Sequence, residues 1–260
     1  RTDVPGVWYC TGDGVIENEL PPLEEDLAFF GTPDRTIYEP HINMQQTLLA
    51  VSSRGCLYDC SYCHHNATRK IYRGKGKYLR RLTADDFVEM LAESYDRYHY
   101  RSLQIYDEIF VYDVPWLERF ADLYARRVGV PYICLGHPTF MSEPVVQALK
   151  ASNCFGVQIG VQSFNPEVRR SFLKRRESVD QVEEMLACME QYKLPYQLDM
   201  IFGLPGDTED DYAQTVQRFC KLRSATKINT LILSLQPQTD MVDHAIEAGM
   251  ITEADKSSID

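Results

Sequence analysis

No apolar run in the sequence approaches the roughly 18 residues a membrane-spanning helix needs, and the first residues carry no charged-then-apolar secretion signal. A cytoplasmic location is the default expectation. Positive charge is also scarce: 27 Lys and Arg stand against 38 Asp and Glu, a net charge of -11. That balance disfavours broad binding to nucleic acid or to an anionic membrane surface and leaves room only for a local basic channel. There is no internal repeat and no low-complexity tract. An initiating Met is lacking too; the chain starts at Arg1 and ends in the polar stretch Glu253 to Asp260, so a segment of a longer protein is expected.

What is present is an ordinary globular composition, 44% apolar and 25% charged with 11 Phe and 16 Tyr, enough for one sizeable core. Residues 1–46 are rich in Pro, Gly and acids (Pro5-Gly6, Pro21-Pro22, Gly31-Thr32-Pro33-Asp34) and read as an irregular connector. From Thr47 onward short apolar runs alternate with helical patterns, the mark of strand-helix units on a parallel sheet. Candidate strands are Thr47 to Ser52, Ser102 to Tyr106, Pro131 to Leu135, Phe155 to Val161, Tyr196 to Phe202 and Asn229 to Leu235. Thr83 is placed to cap a helix whose Phe87, Met90, Leu91, Ser94, Tyr95 and Tyr98 share one face; further helices are expected near 114–127, 142–151, 178–191 and 208–223. Met185 and Met189 fall on the apolar stripe of the fourth of these and read as core. The fold class expected is α/β, an open partial TIM-type (β/α)6 barrel over 47–236, with 237–260 beginning a C-terminal region. In such a barrel function sits at the C-terminal strand ends.

Three of the eight cysteines crowd into Arg54-Gly-Cys-Leu-Tyr-Asp-Cys-Ser-Tyr-Cys-His-His65, just after the first strand. Even spacing would suggest disulfides; crowding favours metal ligation. Iron-sulfur clusters normally take four thiolates, so Cys56, Cys60 and Cys63 without an obvious fourth leave one iron open to a ligand. The competing reading is a structural zinc site completed by His64 or His65, which would make the chain a non-catalytic zinc- or cluster-stabilised binding module. Cys154, Cys188 and Cys220 read as small buried hydrophobes, with Cys10 in the connector and Cys134 in a strand.

The triplet, with Tyr62 just before its third Cys, resembles the signature of the radical S-adenosylmethionine superfamily. Phe155-Gly-Val-Gln-Ile-Gly-Val-Gln-Ser-Phe-Asn-Pro-Glu167 and Leu198-Asp-Met-Ile-Phe-Gly-Leu-Pro-Gly-Asp-Thr208 are similar to the fourth and fifth strands of the branch containing oxygen-independent coproporphyrinogen oxidases and cobalamin-dependent members. The resemblance covers roughly residues 46 to 235. It implies a [4Fe-4S] cluster whose open iron chelates S-adenosylmethionine, and reductive cleavage of that sulfonium to a 5'-deoxyadenosyl radical. By position, Tyr62 would lie against the adenine, Asp107 or Glu108 would meet the methionine amino group, Gln162 and Asp199 would hold the ribose, and Lys174 or Arg175 would pair with the methionine carboxylate. Tyr106 and Asp107 replace the glycine pair usual before the acid.

Gly6-Val-Trp-Tyr-Cys-Thr-Gly-Asp-Gly-Val-Ile-Glu-Asn18 resembles the connector after a cobalamin-binding domain. The sequence has no Asp-x-His-x-x-Gly cobalamin ligand motif, so any cobalamin would be bound by a domain outside this chain. A methyltransferase or ring-modifying enzyme is implied, acting on a small molecule or biosynthetic intermediate with a reducing partner such as flavodoxin or ferredoxin. His64, His65 and His137 are expected near strand ends, where an imidazole serves as proton carrier or metal ligand. The basic run Arg69, Lys70, Arg73, Lys75, Lys77, Arg80 and Arg81 reads as a solvated loop, with a phosphate-bearing substrate or an electron donor as its functional alternatives.

Overall fold

The computed structural model describes residues 2–259. The apolar runs form six strands: β1 (Thr47–Ala50), β2 (Ser102–Ile105), β3 (Tyr132–Gly136), β4 (Cys154–Gln162), β5 (Tyr196–Phe202) and β6 (Ala225–Ile232). Every neighbouring pair is parallel, and the order in space is the order in sequence. Among the described residues β1 and β6 do not bond to each other, so this partial barrel is open. A parallel neighbour requires a crossover back to the starting end, so all six C-terminal strand ends gather at one mouth.

The crossovers are helical: α1 (His64–Ile71) and α2 (Ala84–Tyr98), then α3 (Val114–Arg127), α4 (Glu143–Ala151), α5 (Val179–Tyr192) and α6 (Glu209–Phe219), with α7 (Asp240–Glu247) and α8 (Glu253–Ile259) after β6. Local chemistry sets their starts. Thr83 and Asp113 accept backbone N–H bonds at the heads of α2 and α3, while Ser178–Gln181 and Thr208–Asp211 close reciprocal capping boxes on α5 and α6. Left-handed His99 and Lys193 end α2 and α5.

Strand alternation assigns the faces. Leu103, Ile105, Tyr132, Cys134, Val157 and Ile159 lie fully buried against Phe87, Phe120, Val145 and Met185 of the helices. The opposite face of β4, β5 and β6 presents Gln158, Asp199 and Asn229 to the barrel interior, where each outer amide donates to one Asp199 oxygen, at 2.8 and 2.7 Å.

Some boundaries differ from expectation. β5 and α3 match, but α6 stops at Phe219 and β6 starts at Ala225, four residues before the expected Asn229. A register shift between Ala225 and Lys227 breaks the two-residue alternation there and hides the start of the strand. Cys220, read as a buried hydrophobe, is exposed, and Cys188 is only partly covered; Cys134 and Cys154 are buried. The lead-in contains a small hairpin, Tyr9–Thr11 with Gly14–Ile16, and two 3-10 turns, Leu27–Phe30 and Thr36–Tyr38. It is tied down at intervals: Leu23 N–H donates to the Lys75 carbonyl, Arg80 to the Glu24 carbonyl, and Arg97 pairs with Glu39.

Candidate active site

The cysteine loop leaves β1 through a two-residue ribbon, Ser53–Arg54 against Arg80–Arg81, and ends in α1. Gly55 adopts φ +88°, and a Cβ there would fall inside the Tyr78 carbonyl oxygen; glycine is therefore required where the loop starts. Cys63 occupies the N-cap of α1, and Tyr58 N–H points at Cys56 Sγ at 3.5 Å. The loop is clamped from three directions. Arg69, its guanidinium 4.6 Å from the Tyr78 ring centre, donates to the carbonyls of Cys56 and Tyr58. Ser61 bonds to the carbonyls of Phe172 and Leu173, and Met241 N–H donates back to the Ser61 carbonyl. Tyr58 stacks on His137 with ring centres 4.3 Å apart. All three thiols are free, Cys60 buried and its partners half-buried. Burial pushes the Cys63 thiol up to about 11, with Cys60, Glu108 and Cys56 adding to the rise, and burial likewise raises Cys56.

Asp107 and Glu108 point to different places. Asp107 is 1% exposed and accepts from Ser52 N–H at 2.6 Å, from the Ser52 hydroxyl and from Ser53 N–H, with Arg81 at 3.8 Å. Its oxygens are fully engaged in holding the end of β1. Glu108 keeps 40% of its side chain exposed and lies 3.2 Å from His65 Nε2 and 4.0 Å from His64 Nε2. The contact to His65 holds the Glu108 carboxyl below its ordinary value, against the opposing pull of burial.

Lys174 and Arg175 likewise diverge. Lys174, at φ +54°, reaches out to Asp240, which also receives Lys70 and the Asn66 amide. Arg175 turns inward, donating to the Gly160 carbonyl at 2.6 Å, to Glu177 at 2.6 Å and to the Tyr62 hydroxyl at 3.4 Å. Glu177 is wholly buried and also takes Arg169 at 2.6 Å. Its second oxygen has no partner and lies 3.8 Å from the equally unpartnered Nε2 of His137. His137 Nδ1 accepts from Thr139 N–H, which leaves the proton on Nε2, and burial lowers its pKa to about 2.

Tyr62 and Gln162 share a cavity of about 270 Å³ with Ile201, Leu233 and Gln236 at the β4–β6 side of the mouth. Gln162 holds φ +71°, and its buried Oε1 has no partner. The neighbouring Gly160 makes the space: a Cβ there would strike Gln162 Nε2. Asp199 sits one interior position below Ile201, between Gln158 and Asn229, with both oxygens occupied.

The basic run is a solvated loop only in part: Arg73 and Lys77 are exposed in the turn after α1, but Arg69 and Lys70 lie in α1, and the Arg81 side chain is buried with its guanidinium 3.3 Å from the Trp116 ring centre. Arg69 and Arg81 act internally because their long stems reach aromatic faces and loop carbonyls, contacts that linear charge density does not reveal. Nor did sequence reasoning find Glu177, Gln158 or Asn229; only their period-two placement beside Asp199 marks the last two.

The profile of the Radical SAM superfamily matches residues 50–219, from the end of β1 to the end of α6. The chain belongs to this superfamily. Within the radical SAM superfamily, its curated relatives include an uncharacterized methyltransferase of Pyrococcus horikoshii, 20% identical over 207 residues that make up 78% of this chain and 43% of the relative. Another is the bacteriochlorophyllide d C-12(1)-methyltransferase of Chlorobaculum tepidum, 23% identical over 181 residues, 68% of this chain and 38% of that one. Among solved structures, the radical SAM methyltransferase TsrM from Kitasatospora setae, with cobalamin and a [4Fe-4S] cluster bound, superposes with a TM-score of 0.75 at 18% identity, covering 96% of this chain and 50% of TsrM. Coproporphyrinogen III oxidase of Escherichia coli follows at 0.58 and 16%, covering 83% and 55%. These structural likenesses carry the fold. The chain spans less than half the length of the two curated relatives, and no helix among its described residues is long and apolar enough to cross a membrane.

Proposed function

We propose that this radical SAM chain binds a [4Fe-4S] cluster through Cys56, Cys60 and Cys63 and cleaves S-adenosylmethionine reductively, as the core of a cobalamin-dependent methyltransferase whose cobalamin is held by a domain outside the chain. The observation that carries the reading is the Tyr62–Gln162 cavity beside the cysteine loop, containing a buried, unpartnered amide oxygen. A purely structural zinc site has no use for such a pocket, and a buried acceptor lining it without a donor suits a ligand's hydroxyl or amine.

The donor set fits the cluster: three free thiols on one loop, with the other five cysteines of the chain off that loop. When bound, the cluster and S-adenosylmethionine would supply one-electron cleavage of the sulfonium to a 5'-deoxyadenosyl radical. The chain's own residues bind and orient. Gln162 Oε1 would accept from a ribose hydroxyl, with Asp199 deeper on the same face, and Tyr62 would flank the adenine. Glu108, kept ionised and half-exposed, suits an ammonium; Arg175, fixed by Glu177, suits a carboxylate. Asp107 and Lys174, engaged elsewhere, support the site without contacting the cosubstrate. Cleavage needs an electron, so a flavodoxin- or ferredoxin-like donor is part of the proposal.

The test is 5'-deoxyadenosine release by anaerobically reconstituted protein with a strong reductant, beside a Cys56/Cys60/Cys63 triple-alanine control. Release by the parent and none by the control is the expected outcome. A parent that takes up zinc in place of iron and sulfide, and releases nothing, would replace the radical reading with that of a binding module.

A further inference from the structure

On the other side of the cysteine loop, where the lead-in meets the C-terminal end of β1, lies a cavity of about 550 Å³. That volume suits a ligand of drug or metabolite size. Its wall is apolar in Phe30, Leu49, Leu82 and Tyr106, and its charged lining consists of three arginines, Arg35, Arg54 and Arg80, with no Asp or Glu. In a chain carrying 38 acids to 27 bases, a concave surface with three guanidinium groups and no carboxylate is a marked local reversal of charge.

None of the three is neutralised. Among the described residues no carboxylate lies within ion-pair distance of any of them. Arg80 donates only to the Glu24 carbonyl and Arg54 only to that of Ser53, while the Nε groups of Arg35 and Arg80 are buried and unpartnered. Burial lowers the pKa of Arg35, opposed by the nearby hydroxyls of Tyr98, Tyr100 and Tyr38. Arg35 and Arg80 are half-buried and Arg54 is exposed, whereas the fully buried cations Arg169 and Arg175 are both paired with Glu177. Three unpaired guanidinium groups around one cavity, two of them with a buried Nε that finds no acceptor, suit an anion from outside the chain.

We propose that this cavity binds an amphipathic organic anion, an apolar body bearing one carboxylate or phosphate that Arg35, Arg54 and Arg80 receive. Arg54 precedes Cys56 by two residues and Tyr106 precedes Glu108 by two, so the cavity opens beside the cysteine loop, on the side opposite the Tyr62–Gln162 cavity. On the radical SAM reading, on which this last step rests, the anion is the substrate: it meets the loop from the β1 side while the cosubstrate meets it from the β4–β6 side.

Isothermal titration of the reconstituted full chain, without S-adenosylmethionine, tests the site with three probes of one shape: 2-naphthoate, 2-naphthyl phosphate and the neutral 2-naphthamide. At least one anion should bind at least about tenfold more tightly than the amide, since a charge-assisted contact is worth about that factor. Which anion wins identifies carboxylate or phosphate as the recognised group. Arg54→Gln, at an exposed position, should cut that preference, and Arg35→Gln with Arg54→Gln should erase it while leaving amide binding unchanged. Equal affinity for amide and anions, no binding of any probe, or a preference that survives the double substitution would each overturn the proposal. Because the titration needs neither reductant nor S-adenosylmethionine, its failure leaves 5'-deoxyadenosine release standing, and failure of that release leaves the anion site standing.

Discussion

Glu177 shows how one side chain organises a catalytic mouth. One of its oxygens receives both Arg169 and Arg175, and the other faces His137. Through Arg175 it steadies Tyr62 and so braces the cysteine loop from the side of β4. Removing the carboxylate would strand two buried guanidinium groups. Glu177→Ala is expected to cost about 3–5 kcal/mol in denaturant unfolding, the range for breaking one partner out of a buried ion pair; a loss under about 1 kcal/mol would mean that water or backbone carbonyls already satisfy the arginines. The sequence announces the cysteines because ligand spacing is local. It leaves Asp107 and Glu108 unresolved, because adjacent residues at a strand end face opposite ways and only the fold says which way each turns. The same holds for Lys174 and Arg175, separated by a left-handed backbone at Lys174.

At the scale of elements, the β5–α6 turn carries a titrating group. Burial pushes the Asp207 carboxyl up to about 6, the nearby Asp211 adding to the rise and the Ser163 hydroxyl opposing it. A native pKa above the ordinary 3.8 means that the folded chain holds this proton more tightly than the unfolded one. The stabilisation is therefore full below about 3.8 and is lost as pH rises through about 6. Asp207→Asn keeps the acceptor for Ser163 and abolishes the titration. The variant should gain stability relative to the parent between pH 4 and 7.5, by on the order of 1 kcal/mol once solvent screening of this half-exposed group is allowed for. Parallel unfolding curves for the two proteins across that range would count against it. Elements were legible where pattern and caps agreed, as in β5 and in α2 behind Thr83. Where the cue is broken they are misplaced or missed: β6 starts with a register shift, four residues before its expected start, and α1, not expected from the sequence, has no side-chain N-cap bond and a sequence dominated by His, Arg and Lys.

For the whole molecule, six local strand-helix units made the open barrel readable without any knowledge of partners. What sequence could not convey is how its two edges finish. Ile232 on β6 is 78% exposed, and at the β1 end Phe29, Phe30 and Ile37 of the lead-in are 74%, 65% and 63% exposed. Edge strands bearing uncovered apolar side chains template pairing with other chains. Ile232→Lys should raise the concentration at which the 260-residue chain begins to scatter light; an unchanged threshold would place the association elsewhere.

The pairing of each strand with its immediate predecessor also bears on how the protein is made. Because each strand pairs with its predecessor, the sheet can be laid down in the order the chain leaves the ribosome, each parallel pairing waiting only for its own helical crossover to close. The cysteine loop is the exception. Its Ser61 carbonyl is closed by Met241, and α1 is pinned through Asn66 and Lys70 to Asp240, some 180 residues downstream of the triplet. On the proposed reading of the three thiols as cluster ligands, they stand on a loop whose clamps close in chain order, Arg69 first, then His137, then Phe172 and Leu173, with α7 adding a later one.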